Sequence, residues 1–236
     1  MKKIFNLHLV ISEQGKIAAT YRKVHLFDAP VTGLQESKTT APGDELIIVD
    51  MGFARVGLAV CYDLRFPAMF GAMRSVNATA NDATYSMDGS VDNSAEIFLI
   101  PAAFTVKTGK AHWDILLRAR AIENQCYVVA AAQIGRHNEH RESYGRSLII
   151  DCWGEVIAAA EAHDPDVNIV SSATTVSLSS FSVDCPGSTN ITSDILKGKE
   201  LGGRICVAPF NRSYLRSVRR GMPVLVSYLR FTFFLV

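Results

Sequence analysis

The stretch Arg55-Val56-Gly57-Leu58-Ala59-Val60-Cys61-Tyr62-Asp63-Leu64-Arg65-Phe66-Pro67 constrains this chain more than any other. Val56, Leu58 and Val60, with small Gly57 and Ala59 between them, form a short apolar run without a helical period, which predicts a buried strand of the parallel type. Cys61 falls where that strand ends and polar residues begin. In an open α/β sheet the carboxyl ends of the strands form the crevice where ligands bind, so a thiol at that point is within reach of a substrate. Packing is the competing role, because free cysteine is among the most buried residue types.

A chain of 236 residues, 48% hydrophobic and 20% charged, can bury a substantial core and is expected to form a single domain over residues 1–236. Its formal net charge of +1 gives no electrostatic footprint for nucleic acid or an anionic membrane surface, and neither is expected as a partner. The cysteines at 61, 126, 152, 185 and 206 are scattered and odd in number, which favours a reducing compartment and makes the cytoplasm the expected location. The start, Met1 to Val10, is interrupted by Asn6 and His8 and reads as a strand, not as a leader. Met222 to Val236 is apolar, but it is shorter than the roughly 20 residues a spanning helix needs and carries Arg230.

Taken in order, residues 4–13 and 16–21 predict a hairpin turning at Gly15. In Tyr21 to Asp28, strand alternation puts Lys23, His25 and Phe27 on one face and Val24 and Leu26 on the other. A long loop follows from 29 to 44, and residues 46–50 and 55–60 pair to deliver Cys61. A helix is expected from Ala68 to Arg74. Residues 75–94 then have a disordered composition. Ile97 to Phe104 predicts a buried strand, Lys110 to Gln125 an amphipathic helix presenting Trp113, Leu116, Leu117 and Ala121, and Tyr127 to Gln133 the next strand, completing a β-α-β unit. A second hairpin is expected over 147–152 and 155–160, turning at Trp153-Gly154. Residues 171–209 are rich in Ser, Thr and Gly without periodicity, and 212–225 regain helix-then-strand character. His137 and His140 read as a solvated pair in a charged loop, with no partners at metal-ligand spacing; no metal and no cofactor are expected.

A thiol attacks only as thiolate, so it needs a base or a nearby cation. Lys23 supplies a cation, and with the backbone N–H of Tyr62 it would supply donors for an oxyanion. His25 is the competing partner, since imidazole commonly pairs with a catalytic thiol.

Three blocks, Tyr21 to Asp28, Gly57 to Pro67, and Leu117-Arg118-Ala119-Arg120-Ala121-Ile122-Glu123-Asn124-Gln125-Cys126-Tyr127-Val128-Val129, resemble signature segments of the carbon–nitrogen hydrolase, or nitrilase, superfamily. Within it, Gly109 to Trp113, Ala130 to Asn138, Ser143 to Ser147 and Asp151 to Gly154 are most similar to the branch of deaminated glutathione amidases and the Nit half of NitFhit fusions, with omega-amidases as the nearer branch to exclude. The resemblance implies an α/β fold of the αββα sandwich type, a small carboxylate-bearing amide as substrate, and a homo-oligomer. It also implies that Cys61 is the nucleophile, Lys23 the oxyanion-stabilising lysine and Glu36 a glutamate beside them. The implied reaction is attack on an amide carbon, loss of ammonia, and hydrolysis of the thioester by water. It favours Lys23 over His25 as the thiol's partner, and it makes Glu123 a helix residue paired with a neighbouring arginine. The family's opening strand–helix unit, with its general-base glutamate, is expected before the point where this chain begins. Glu13, at a hairpin turn, does not replace it, and without a base activity is expected to fall by roughly 10²–10⁴. Residues 75–94 and 171–209 match nothing in the family and read as inserted or mistranslated sequence.

Overall fold

A computed structural model describes residues 3–29, 33–75, 93–160, 162 and 208–222. The expected segments 75–94 and 171–209 lie outside these but for residues 75, 93, 94, 208 and 209, as does the strand expected after residue 222.

The described chain opens with strands β1 (Leu7–Ile11) and β2 (Ile17–Arg22), an antiparallel hairpin whose turn uses Gly15 at φ +74°, a conformation glycine adopts without cost. The segment after β2 is not the strand that alternation predicts. It bends, because its backbone donors are taken by side chains: Val24 N–H donates to the Tyr21 hydroxyl (3.1 Å) and His25 N–H to Asp63 (3.0 Å). The expected long loop contains short elements, with β3 (Asp28–Ala29) pairing with β4 (Leu34–Gln35) and a short 3₁₀ turn over Glu36–Lys38.

The apolar run forms the strand its composition predicts. β5 (Ile48–Asp50) pairs antiparallel with β6 (Arg55–Leu58), and the chain continues into α1 (Pro67–Arg74). Next come β7 (Ile97–Leu99), α2 (Val106–Asn124) and β8 (Tyr127–Ala130), and β6, β7 and β8 are mutually parallel. The predicted β-α-β unit is therefore β7-α2-β8, its first strand ending earlier than expected, ahead of Pro101. His137 and His140, expected in a charged loop, instead fall within and at the turn of the hairpin β9 (Ile134–Asn138) and β10 (Arg141–Tyr144). Here packing overrides polarity: an added Cβ on Gly109 of α2 would lie 2.3 Å from Tyr144, so bare glycine lets β10 seat on the helix. β11 (Leu148–Ile150) and β12 (Val156–Ala159) follow, then α3 (Arg212–Gly221). The main sheet runs β12-β11-β8-β7-β6-β5, an α/β arrangement with parallel strands at its centre.

Gly57 explains how α1 reaches this sheet. A Cβ there would meet Phe98 at 2.8 Å and the Met73 sulfur at 3.0 Å, so the bare position receives the Phe98 ring of β7, which meets Phe70 of α1 edge-on at 5.0 Å. α2 starts on Thr105, whose hydroxyl accepts the Thr108 N–H, and stops at Gln125, which adopts φ 51°. It buries Trp113, Leu117 and Ala121, and each large apolar side chain contributes about 1.5–3 kcal/mol by leaving water.

Candidate active site

Cys61 stands at the carboxyl end of β6. Beyond Leu58 the chain stays tied to β7's continuation, with Ala59 N–H donating to Leu99 O (3.1 Å) and Cys61 N–H to Pro101 O (2.9 Å). Cys61 itself has φ 48°, left-handed backbone that costs a non-glycine residue about 1–3 kcal/mol and persists only where its surroundings impose it. A 3₁₀ turn, Cys61–Arg65, starts there.

What imposes the turn is Asp63, fully buried at 0% exposure. Its Oδ2 accepts from Val60 N–H (2.9 Å) and the Tyr21 hydroxyl (2.7 Å). Its Oδ1 accepts from His25 N–H (3.0 Å) and His25 Nδ1 (2.9 Å). A carboxylate only accepts, so His25 carries a proton on Nδ1. Four donors satisfy a charge whose burial would otherwise cost several kcal/mol. Tyr21, raised by burial and then by the charge of Asp63, stays a neutral phenol and keeps donating. The His25 ring stacks on Phe66 at 3.7 Å.

Lys23 is 4% exposed, and its Nζ meets Glu36 Oε2 at 2.6 Å. The same oxygen accepts Phe27 N–H (2.7 Å), and Oε1 accepts Asn6 Nδ2 (3.2 Å). Burial pushes the Glu36 carboxyl up, but Lys23, Phe27 and Asn6 together outweigh it and hold the group below the ordinary glutamate value of 4.5. The Cys61 thiol lies above its ordinary 9.0, chiefly through burial; the Ala103 backbone N–H and the Lys23 charge pull it down, while Glu36 and Asp63 push it up. Lys23 is thus the cation that acts on the thiol, whereas His25 is turned to Asp63. The Tyr62 N–H, in the first turn after the cysteine, has no hydrogen-bond partner among the described residues. Its ring packs edge-on against Phe27 and Phe66. Among the described residues no group of three or more His, Cys, Asp or Glu is placed to hold a metal ion.

A strained cysteine at a strand end, a buried lysine paired with a half-buried glutamate beside it and an unused N–H after it form a site for attack on an electrophilic carbon. The sequence matches the carbon–nitrogen hydrolase family over residues 1–174. The chain belongs to that family. Among curated relatives, the deaminated glutathione amidase of Homo sapiens is 37% identical over 227 residues, covering 94% of this chain and 52% of the relative. That of Bos taurus is 45% identical over 161 residues, covering 66% of this chain and 44% of the relative. This carbon–nitrogen hydrolase therefore spans about half the length of the curated relatives it matches. Among solved structures, the C. elegans NitFhit protein superimposes with a TM-score of 0.68 at 35% identity, covering 95% of this chain and 42% of that one. A mutant of the amidase from Nesterenkonia sp. AN1, described with acrylamide added at its active site cysteine, gives 0.50 at 25% identity, covering 65% and 52%.

The carbon–nitrogen hydrolase site includes residues that sequence reading passed over. Asp63 lies two positions after Cys61, and its signal was a lone acid in the turn after an apolar strand. Ala103 and Asn6 act through a backbone N–H and a loop amide, for which residue type gives no signal. Glu123, itself exposed, pairs with the buried Arg120 one turn earlier on α2, as expected for a helix residue.

Proposed function

We propose that this carbon–nitrogen hydrolase cleaves a small carboxylate-bearing amide of the deaminated glutathione type through a thioester on Cys61. The observation that carries this reading is the buried Lys23, paired with half-buried Glu36, acting on a thiol at a strained strand-end turn. Cys61 Sγ attacks the amide carbon, and the oxyanion takes the Tyr62 N–H and the Lys23 ammonium as donors. Glu36 keeps Lys23 charged and aimed. The carbon–nitrogen bond breaks as the thiol's proton passes to the leaving nitrogen, and water then splits the thioester, restoring the thiol and releasing a carboxylic acid. In deaminated glutathione the amide nitrogen belongs to a cysteinyl residue, so that amine leaves; ammonia leaves only from a primary amide. The names of the curated relatives and the cysteine adduct of the Nesterenkonia amidase support the reading.

The test supplies the chain with deaminated glutathione, following the released thiol-bearing amine, and with the primary ω-amide of an α-keto dicarboxylic acid, following ammonia. Faster turnover of the first supports the proposal; faster turnover of the second moves the assignment to an omega-amidase. One observation favours a further reading, a binding form without turnover: Asp63 and Glu36, the carboxylates that bear on the thiol, already serve four and three donors, leaving neither free as a base. No product from either substrate supports that form. Self-association belongs to the same proposal, supported by Ile115 and Ile122, exposed a heptad apart on α2, beside exposed Trp153; light scattering at the monomer mass would count against it.

A further inference from the structure

The carboxylate of Asp63 reaches two separate pieces of chain, and the pieces are those that carry the nucleophile and its cation. On one side it grips the backbone immediately before Cys61, through the Val60 N–H at 2.9 Å, while its own N–H returns to Val60 O at 3.0 Å. On the other it grips the backbone immediately after Lys23. His25 N–H bonds it directly, at 3.0 Å, and Val24 N–H bonds it through the Tyr21 hydroxyl, at 3.1 and 2.7 Å. Lys23 is held on its remaining backbone atoms as well, with its N–H on Asn6 O and its carbonyl accepting from Gly43 N–H.

We propose that Asp63 is the positioning residue that holds Lys23 against Cys61, one buried carboxylate clasping the lysine's segment to the turn that presents the thiol. Asp63 does not act on the substrate. Its charge by itself opposes thiolate formation, since it pushes the thiol upward; the geometry it imposes brings Lys23 near enough to work the other way. A bond from an acid to both partners is what close registration requires, because a displacement of about 1 Å at a catalytic group can cost about 10²-fold in rate. An asparagine at this position keeps the shape but has one acceptor oxygen. It serves either the His25 side or the Val60 side, and its amide meets donors on the other.

The inference rests on the assignment of Cys61 and Lys23 made above, and its test is independent of amide turnover. Iodoacetamide alkylation of the Cys61 peptide, followed by mass spectrometry as a function of pH, gives the midpoint of thiol ionisation. It is measured in the natural chain, in Lys23→Met, in Asp63→Asn and in the double variant. Lys23→Met is expected to raise the midpoint in the natural background and to shift it by less than half as much in the Asp63→Asn background. Equal shifts in the two backgrounds overturn the proposal, as does no shift in either, because a clasp with nothing to hold is no clasp. A purely structural role for Asp63 would lower the melting temperature and leave the two shifts equal. If Asp63→Asn does not fold, Tyr21→Phe removes one arm of the clasp alone and the same comparison decides, with a reduced Lys23 effect supporting the proposal and an undiminished one overturning it. Failure of the amidase reading registers separately, as absence of product with non-additive shifts intact.

Discussion

Cys61 combines two properties that pull in opposite directions. Burial holds its thiol above 9.0, with Lys23 and the Ala103 N–H offsetting part of the rise. An acid with a raised pKa is protonated at neutral pH, so alkylation of Cys61 should climb as pH rises and reach half its plateau above 9.0; a midpoint well below that value would show that the cation and N–H outweigh burial. In the proposed amide hydrolysis the same residues separate by role. Cys61→Ala and Lys23→Ala should each abolish amide hydrolysis, the first by removing the nucleophile and the second by removing a donor to the oxyanion, a loss of about 10²–10³-fold or more. His25→Ala should leave measurable activity, because its backbone N–H still reaches Asp63 and only the ring bond is lost. Product formation with the substrates named above measures all three, and natural rates for Lys23→Ala would overturn the assignment. As candidates, Cys61 and Lys23 were legible because each is a chemically distinctive side chain in a recognisable block, and Glu36, outside the three blocks, only through the family resemblance. Asp63, Ala103 and Asn6 were not, since their part in the site depends on which loops meet in space.

At the scale of elements, strands with continuous apolar runs were the legible part. β6 and β8 read correctly because burial on both faces leaves Val, Leu and Ala no alternative pattern, and α2 read correctly because Trp113, Leu117 and Ala121 recur on one face. The β9–β10 hairpin was illegible for the converse reason. Arg136, His137, Asn138, Glu139, His140 and Arg141 are polar throughout, and what orders them is the seat of Tyr144 on Gly109. Two helix glycines test that account with opposite signs. Gly71 in α1 has nothing within 4 Å of an added Cβ, so Gly71→Ala should stabilise the chain by about 0.5–1 kcal/mol through helix propensity. Gly109→Ala would place its methyl 2.3 Å from Cβ and Cγ of Tyr144, the root of a side chain that cannot swing aside. Overpacking of about 1–3 kcal/mol should outweigh the propensity gain. Urea midpoints of the two variants should therefore move in opposite directions, and a rise for Gly109→Ala would show that β10 is not seated on α2.

Across the whole molecule, stability and chemistry sit at opposite ends of the same strands. β6 enters at Arg55 and delivers Cys61, about 20 Å away at the rise of an extended chain. At the entry end, Glu96 is a buried acid serving Arg55, through its N–H at 3.0 Å, and Arg212 of α3, at 2.8 and 3.0 Å. Arg219 of the same helix donates to Ala95 O and Gln125 O. α3 is thus fastened, from far along the chain, to the amino ends of β7 and β8 by charge-assisted bonds to atoms with little access to water. Glu96→Gln keeps the volume and removes the charge, leaving Arg212 without its carboxylate. That should lower the unfolding free energy by about 1–3 kcal/mol and raise amide hydrogen exchange across residues 212–221 first. The pH midpoint of Cys61 alkylation should not change, since neither Glu96 nor Arg212 is among the groups that bear on the thiol. Exchange that rises equally in α3 and at β6 would mean that helix and sheet open as one unit. A shifted thiol midpoint would mean that the two ends are coupled through the strands, and that the entry end helps set the chemistry at Cys61.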